Sequence, residues 1–345
     1  LVSSASTQDD ACEIAPYFNV YAQDLGNCGG CAPLTCWACL TTSQQVYLDA
    51  GLTIPVPTAY YSNQMAPGNY ATWLIVGGFP QPAGFNGCSS TPDSDATTYL
   101  NSIVSAGGSL TPTISAATYS LFAELKDTGI WSKLYVFYPT LGGTSASTAI
   151  NAKNPGTFTM TWNGGITFSS TGVQGNGVNG YGNTGWDEVS DGASINDFGY
   201  GLYSRSDISQ NGTQQFDMGA EDADYRTQMN IRNSGNMVGT IQDDLVGLTY
   251  SYSNSPSSGF NVLQRTDSTS VKGYNSGTIL GTETIVSYGR PTRDVFVMCK
   301  NSNGSPNTRT SREYNWFQTH QALTGGEVST LNTIITNFNT ALGRL

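Results

Sequence analysis

From about residue 140 to 320 the chain is a succession of short β-prone runs separated by Gly and Asn, and this texture constrains the fold more than any other feature. The runs are GTFTMTWNGG, ITFSS, FGYGLYSRS, QQFDMGA, YRTQMNIR, LVGLTYSYS, GFNVLQRT, TSVKGYN, ETIVSYG and RDVFVMCKN. They are rich in β-branched and aromatic residues, which suit a pleated, half-buried surface. In the first, Phe158, Met160 and Trp162 alternate with smaller or polar residues, the period of a strand with one face in a core. About ten such runs, with turn signals roughly every 8 to 15 residues, specify a β-sandwich or barrel. No strand–helix–strand alternation interrupts them, which argues against a parallel sheet.

Helical patterns flank this region. TTYLNSIVSAGG carries Tyr99, Leu100, Ile103 and Val104 as an apolar stripe and stops at Gly107 and Gly108. Thr111 then caps a second helix, with Pro112 at the first helical position, where a missing N–H costs nothing. Its stripe is Ile114, Ala117, Leu121, Phe122 and Leu125, and Gly129 ends it; IWSKLYVFYP follows as a third short helix or a strand, halted by Pro139. At the far end Thr324 and Glu327 stand at capping-box spacing. Val328, Leu331, Ile334, Ile335, Phe338 and Leu342 then share one stripe, and Gly343 terminates the helix. A single stripe calls for one apolar partner surface, so Leu331, Ile334 and Phe338 are expected against the sandwich or the earlier helices.

Only 11% of residues are charged, the net charge is −11, and 40 Gly and 19 Tyr are present. An acidic chain without a basic patch is repelled by a phosphate backbone, which argues against nucleic acid as a partner. No apolar run approaches the length that crosses a bilayer, so no membrane partner is expected. The lone His320, in WFQTHQAL, would have to serve any Ser-His-Asp triad, yet no G-x-S-x-G elbow exists; it reads as structural or surface.

Cys12, Cys28, Cys31, Cys36 and Cys39 crowd the start of the chain, with Cys88 and Cys299 further on. The two C-x-x-C hooks, Cys28 with Cys31 and Cys36 with Cys39, admit a structural Cys₄ zinc site, since tetrahedral Zn²⁺ takes four thiolates. Disulfides involving Cys12 or Cys88 are the other reading, favoured outside a cell. No other cofactor is required. Cys299, in the apolar run VFVMC, reads as a buried free thiol.

Taken together, residues 97–344 resemble a family of bacteriophage virion proteins built on a concanavalin A-like, LamG-like jelly roll. The resemblance rests on YLNSIVSAGGSLTPTISAATYSLFAELKDTGIWSKLYVFYPTLGGT, INAKNPGTFTMTWNGGITFSSTGVQGNGVNGYGNTGW, LYSRS, DMGA, RDVFVMCKNSNGSP and the closing helix to LGR, in that order. Residues 37–88 are similar to a small β module of phage tail proteins and Bacteroidetes-type surface proteins, through VYLDAGLTIPV, the YYSN that follows and Cys88. The resemblance implies a mainly β protein on the virion surface, in a tail fibre, spike or head appendage, and a homo-oligomer. Its parts would be a Cys-rich anchoring segment (1–36) contacting other virion proteins, a small β module (37–90), flanking helices (91–138) and a jelly-roll β-sandwich with a C-terminal helix (139–345).

A glycan is the ligand this composition suits. Sugar sites set an aromatic side chain against the apolar face of a ring and use Asn, Asp or backbone amides for the hydroxyls. Tyr181 and Trp186 in NGYGNTGWDE, Asp187 beside them, Tyr203 in DFGYGLYSRS and Trp316 in REYNWF are the candidates, although each aromatic taken alone is more at home in strand packing. A glycosidase would need two carboxylates about 5 to 10 Å apart. Asp187 and Glu188 would diverge on a strand, whereas Asp222 and Asp224 would share a face, as catalytic pair, acidic turn or Ca²⁺ loop. GVQGNGVNGYG lacks the strand–helix context of a phosphate loop. Nothing in the chain demands catalysis. A glycan-binding virion protein leads, ahead of a purely structural one and of a glycan depolymerase.

Overall fold

The computed structural model describes residues 93–209, 215–246 and 249–345 and, before residue 93, the backbone of short strands. The chain forms two compact units, Leu1–Ser94 with Ala116–Ser120 and Asp95–Ser115 with Leu121–Leu345. In the first, β1 (Ser3–Ala5), β2 (Tyr21–Asp24), β3 (Ala32–Pro33), β4 (Gln44–Tyr47), β5 (Ala59–Ala66), β6 (Asn69–Val76) and β7 (Phe79–Pro80) make two small sheets, β1-β5-β6-β7 and β3-β2-β4. The four cysteines of the C-x-x-C hooks lie outside the described residues.

The remaining elements follow in order. First come α1 (Ser94–Ser105), α2 (Pro112–Asp127), α3 (Ile130–Lys133), β8 (Leu134–Tyr138) and α4 (Ser145–Thr148). Next are β9 (Thr161–Asn163), β10 (Ile166–Ser169), β11 (Gly172–Gly175), β12 (Tyr181–Asn183), β13 (Phe198–Ser204), β14 (Met218–Glu221), β15 (Tyr225–Asn233) and β16 (Asn236–Asp244). The chain continues through β17 (Tyr250–Ser253), β18 (Gly259–Arg265), β19 (Ser270–Asn275), β20 (Thr278–Thr284), β21 (Phe296–Val297), β22 (Lys300–Ser302), β23 (Ser305–Asn307), β24 (Glu313–His320) and α5 (Gly325–Ala341). IWSKLYVFYP thus divides into a helical turn and a strand.

One sheet runs β10-β11-β24-β13-β18-β19-β20, with β8 also pairing β24; the other runs β17-β16-β15-β14-β21-β12-β9, with β22 and β23 attached beside β14. Pairing is antiparallel except between β14 and β22. Phe198, Tyr200, Leu202, Leu263 and Phe317 of the first sheet share one core with Met218, Met229, Ile231, Ile241 and Val297 of the second. The fold is therefore a mainly β, jelly-roll β-sandwich with short flanking helices, as the run of short strands predicts. The two layers approach so closely that Gly239 has no room for a side chain: a Cβ there would lie 2.5 Å from Leu263 of the facing sheet.

Strand β24 needs a bulge to serve both of its faces. Leu202 is opposite Phe317 and Tyr203 opposite Trp316, but Ser204 is opposite Tyr314, leaving Asn315 as the extra residue. Tyr314 and Phe317 can then both point into the sandwich core. Trp316 points the other way, stacking on Phe137 at 5.1 Å and meeting Phe338 of α5 edge-on at 6.5 Å. Helix α5 is closed at its start by the expected capping box, Thr324 accepting from Glu327 N and Glu327 from Thr324 N. Val328, Leu331, Ile334, Ile335 and Phe338 are buried, Leu342 is half-buried, and Gly343 takes φ +62. In α1, Tyr99, Leu100 and Ile103 are buried as expected, whereas Val104 is 56% exposed and leaves the stripe.

A buried ion pair joins the two sheets. Arg312, just before β24, donates to Asp217, just before β14, at 2.6 Å, and both side chains are wholly buried. Tyr314 Oη also donates to Asp217 Oδ1, while Asp217 Oδ2 accepts Ile231 N at 2.7 Å. The remaining Arg312 donors reach the carbonyls of Ile208 and Arg232. Burial alone would push the guanidinium down, but Asp217 and Tyr314 beside it hold it above its ordinary value. Breaking such a pair leaves an uncompensated buried charge, so Arg312→Met is expected to cost about 3–5 kcal/mol, read as a lower urea midpoint at unchanged m-value.

Candidate functional site

The structure disperses the sequence candidates. Trp186 is 1% exposed and stacks on Phe198 at 5.6 Å, with Tyr135 at 5.4 Å: it is a core residue and offers no face to a ligand. Trp316 is likewise enclosed, between Phe137 and α5, with Nε1 bonded to Gln318 at 2.7 Å. Both corrections have one cause. A tryptophan near a Gly-rich turn or on an alternating strand resembles a sugar platform locally, but Phe198 and Tyr135 of the first sheet cover one of these rings, and Phe137 and helix α5 cover the other. Tyr181 is half-buried and stacks on Phe296 at 5.0 Å. Asp187 accepts the N–H groups of Val189 and Ser190, each at 2.7 Å, and so closes its own turn.

Asp222 and Asp224 form neither a catalytic pair nor a cation site. Asp222 Oδ1 accepts Asp224 N and Tyr225 N, and Oδ2 accepts the N–H and hydroxyl of Thr292, so both oxygens are engaged in the β14–β15 turn. Burial would raise its pKa, but these hydrogen bonds hold the carboxyl below the usual range. Among the described residues no group of three or more His, Cys, Asp or Glu side chains is placed to hold a metal. His320 is buried in β24, with Nδ1 2.7 Å from Gln321 O, and Cys299 is a buried free thiol.

Tyr203 borders a cleft of about 380 Å³ where the ends of β13, β18 and β19 meet, together with Arg205, Pro256, Ser258, Gly259, Asn275, Ser276 and the terminal Leu345. Tyr203 is 8% exposed, so it offers the cleft only a small part of its surface. Burial raises its pKa against the Arg205 charge, keeping the phenol a proton donor. The wall opposite is preorganised by an asparagine ladder. Asn254 Nδ2 donates to Asn261 Oδ1 at 2.9 Å, and Asn261 Nδ2 reaches the carbonyls of Ser257 and Gly259. Asn275 Nδ2 reaches Asn261 Oδ1 at 2.9 Å and the Ser258 carbonyl at 3.3 Å. Gly259 takes φ +96, and a Cβ there would lie 2.5 Å from Ser276 Oγ, so only glycine keeps this corner open. Among the described residues, Tyr203 Oη, Ser258 Oγ, Ser276 Oγ and Asn275 Oδ1 have no protein hydrogen-bond partner.

Arg205 forms the floor. Nε donates to Arg344 O at 2.8 Å, NH1 pairs with Glu313, and NH2 is 3.5 Å from Leu345 O. The cleft thus presents hydroxyl and amide groups beside Pro256 and Leu345, an arrangement suited to a polyhydroxylated ligand and devoid of an uncommitted acid–base pair. Ser258, Asn275 and Ser276 read in sequence as turn punctuation; only the adjacency of β13, β18 and β19 makes them a site.

No family model matches the chain, and no curated protein does. Among solved structures, the chain is similar to botulinum neurotoxin type C, whose cell entry depends on two ganglioside molecules, at 10% identity and TM-score 0.46, over 61% of this chain and 53% of that one. It is also similar to the NanB sialidase of Streptococcus pneumoniae (18%, TM-score 0.33, 42% and 26% covered). A third is domain 4 of the Geobacillus stearothermophilus arabinanase AbnA, in complex with arabinotriose (17%, TM-score 0.35, 58% and 98% covered). The chain spans about half the length of the neurotoxin chain it matches. The architecture rests on the two sheets themselves.

The other ionisable group of note, Glu188, lies away from the cleft and inside the protein. It is fully buried, with Oε2 3.3 Å from Gln242 Nε2 and Oε1 without a partner. Burial pushes its carboxyl up to about 8, against the pull of Thr227, Gln242 and Arg290. A folded-state pKa above the ordinary 4.5 gives stability that is complete below pH 4.5 and is lost as pH rises through 8. His320 acts oppositely: burial lowers it from 6.5 to about 4, so its contribution is complete above pH 6.5 and is lost as pH falls. The two slopes oppose each other below pH 6.5, and of these two groups Glu188 alone acts above it. Stability is expected to fall by about 1.5 kcal/mol between pH 6.5 and 8, and Glu188→Gln should flatten that slope in urea titrations at stepped pH.

Proposed function

We propose that the β-sandwich binds a glycan in the cleft at Tyr203, and that it does so on the surface of a bacteriophage particle, to which the region before residue 93 attaches it. The observation that carries the binding reading is the cleft itself. It is an open, preorganised space in which four neutral polar groups lack protein partners beside the apolar surface of Pro256 and Leu345. Sugar hydroxyls can donate to and accept from such groups while ring C–H faces pack on the apolar wall. The virion setting is supported by the resemblance of residues 97–344 to phage virion proteins.

Binding without cleavage is the reading favoured by the carboxylates nearby. Glu313 is tied to Arg205. Asp207 accepts the backbone N–H and hydroxyl of Ser257 and pairs with Arg232; these bonds hold it below the usual carboxylate range, unlike a general acid. A depolymerase would need a second, protonated carboxyl facing the cleft.

The test is a broad glycan array followed by titration calorimetry on the best ligand. Tyr203→Phe keeps the buried ring and removes the hydroxyl; it should weaken binding about tenfold, the loss of one hydrogen bond, with the unfolding midpoint unchanged. Trp186→Ala should act differently, costing about 3–5 kcal/mol of stability as a core truncation. A folded protein that binds nothing on the array would leave the purely structural role.

A further inference from the structure

We propose that the glycan this cleft accepts is neutral, and that Glu313 enforces the preference by neutralising Arg205; the inference rests on the cleft being the glycan site. Arg205 is the one cation among the lining residues, and an exposed arginine in such a place would ordinarily recruit a sialic or uronic acid. Here its charge is already matched. Its NH1 pairs with Glu313, whose Oε1 is also held by Thr171 Oγ1 at 2.9 Å, and its Nε is fixed on Arg344 O. The arginine and glutamate side chains are only 19% and 24% exposed, so solvent screens the pair weakly. Arg344, the cation whose field reaches Arg205 and Glu313, is wholly buried and turned away onto Pro139 O, Thr140 Oγ1 and Asn315 O, and Arg232 is matched by Asp207 and also donates to Ser255 Oγ at 2.8 Å.

The uncommitted groups point the same way. Asn275 Oδ1 is an acceptor only, and a sugar hydroxyl can donate to it where a carboxylate cannot. The hydroxyls of Tyr203, Ser258 and Ser276 and the spare N–H groups of Arg205 suit neutral donors and acceptors. A carboxylate entering the cleft would meet Glu313 behind Arg205 and a protein of net charge −11. Arg205 therefore acts on the ligand through hydrogen bonds, and Glu313 is a positioning residue that sets specificity through it.

The experiment compares matched pairs, lactose with sialyllactose and a neutral trisaccharide with its glucuronic-acid-capped form, titrated against the whole chain at low and moderate salt. The neutral member should bind at least about tenfold tighter. Glu313→Gln should raise affinity for the carboxylated member, relative to the neutral one, at least about fivefold, with the gain shrinking as salt rises. The wild-type comparison stands whether or not that variant folds. Tighter binding of the carboxylated sugars by the wild type, or an unchanged ratio in a folded Glu313→Gln protein, overturns neutrality while leaving the glycan reading intact. Binding of neither member, nor of any array glycan, overturns both.

Discussion

The Asp217–Arg312 pair is the interaction on which the rest of the sandwich is organised. Two opposite charges with no access to water are tolerable only when each is fully hydrogen-bonded, and here every partner is a piece of the fold: a backbone N–H and a carbonyl of β15, a carbonyl just beyond β13, and the phenol of Tyr314. Arg312 sits at the entry to β24, the strand that lies against β8, β11 and β13, so the pair determines where that strand begins. One residue later Glu313 takes Arg205, and Arg205 N bonds Glu313 O at 2.9 Å. The cleft floor is thus one residue removed from the core clamp, and its geometry follows from the core's.

Arginine has an unusual share of the interior. Arg265 reaches Ile241 O, Ile285 O and Tyr250 Oη, and Arg344 reaches the carbonyls of Pro139 and Asn315. Burial lowers both, Arg344 to about 9, without removing the charge at neutral pH. A sandwich with many irregular connections has carbonyls that no strand pairs, and a planar fork of five donors can gather several at once. This explains how a chain with 11% charged residues still places cations in its core.

Local pattern carried the strand texture, the closing helix with both caps, the helical stripes apart from Val104, and the burial of Cys299; it left His320 as structural or surface, and β24 buries it. It did not carry strand order, because the pairing of β13 with both β18 and β24 joins residues far apart in sequence. The same limit governs the site. Trp186 looked like a loop aromatic, yet Thr184 N bonds Val295 O and Val295 N bonds Trp186 O, extending the strand and turning the indole inward. Trp316 alternates as a surface residue should, but helices cover that face of its sheet. Tyr203, in contrast, lines a cleft, although only 8% of it is exposed. The asparagine ladder is invisible in sequence: Asn254, Asn261 and Asn275 resemble ordinary turn residues until β18 and β19 bring them together.

Cys299 gives the molecule an internal clock. It has no exposure and burial pushes its thiol up to about 12, so it is neither reachable nor nucleophilic while the sheets remain together. Every other cysteine precedes residue 93. Modification at this single position therefore counts excursions in which β21 and β22 part from their neighbours, and the rate at which it accrues measures how often the sandwich breathes.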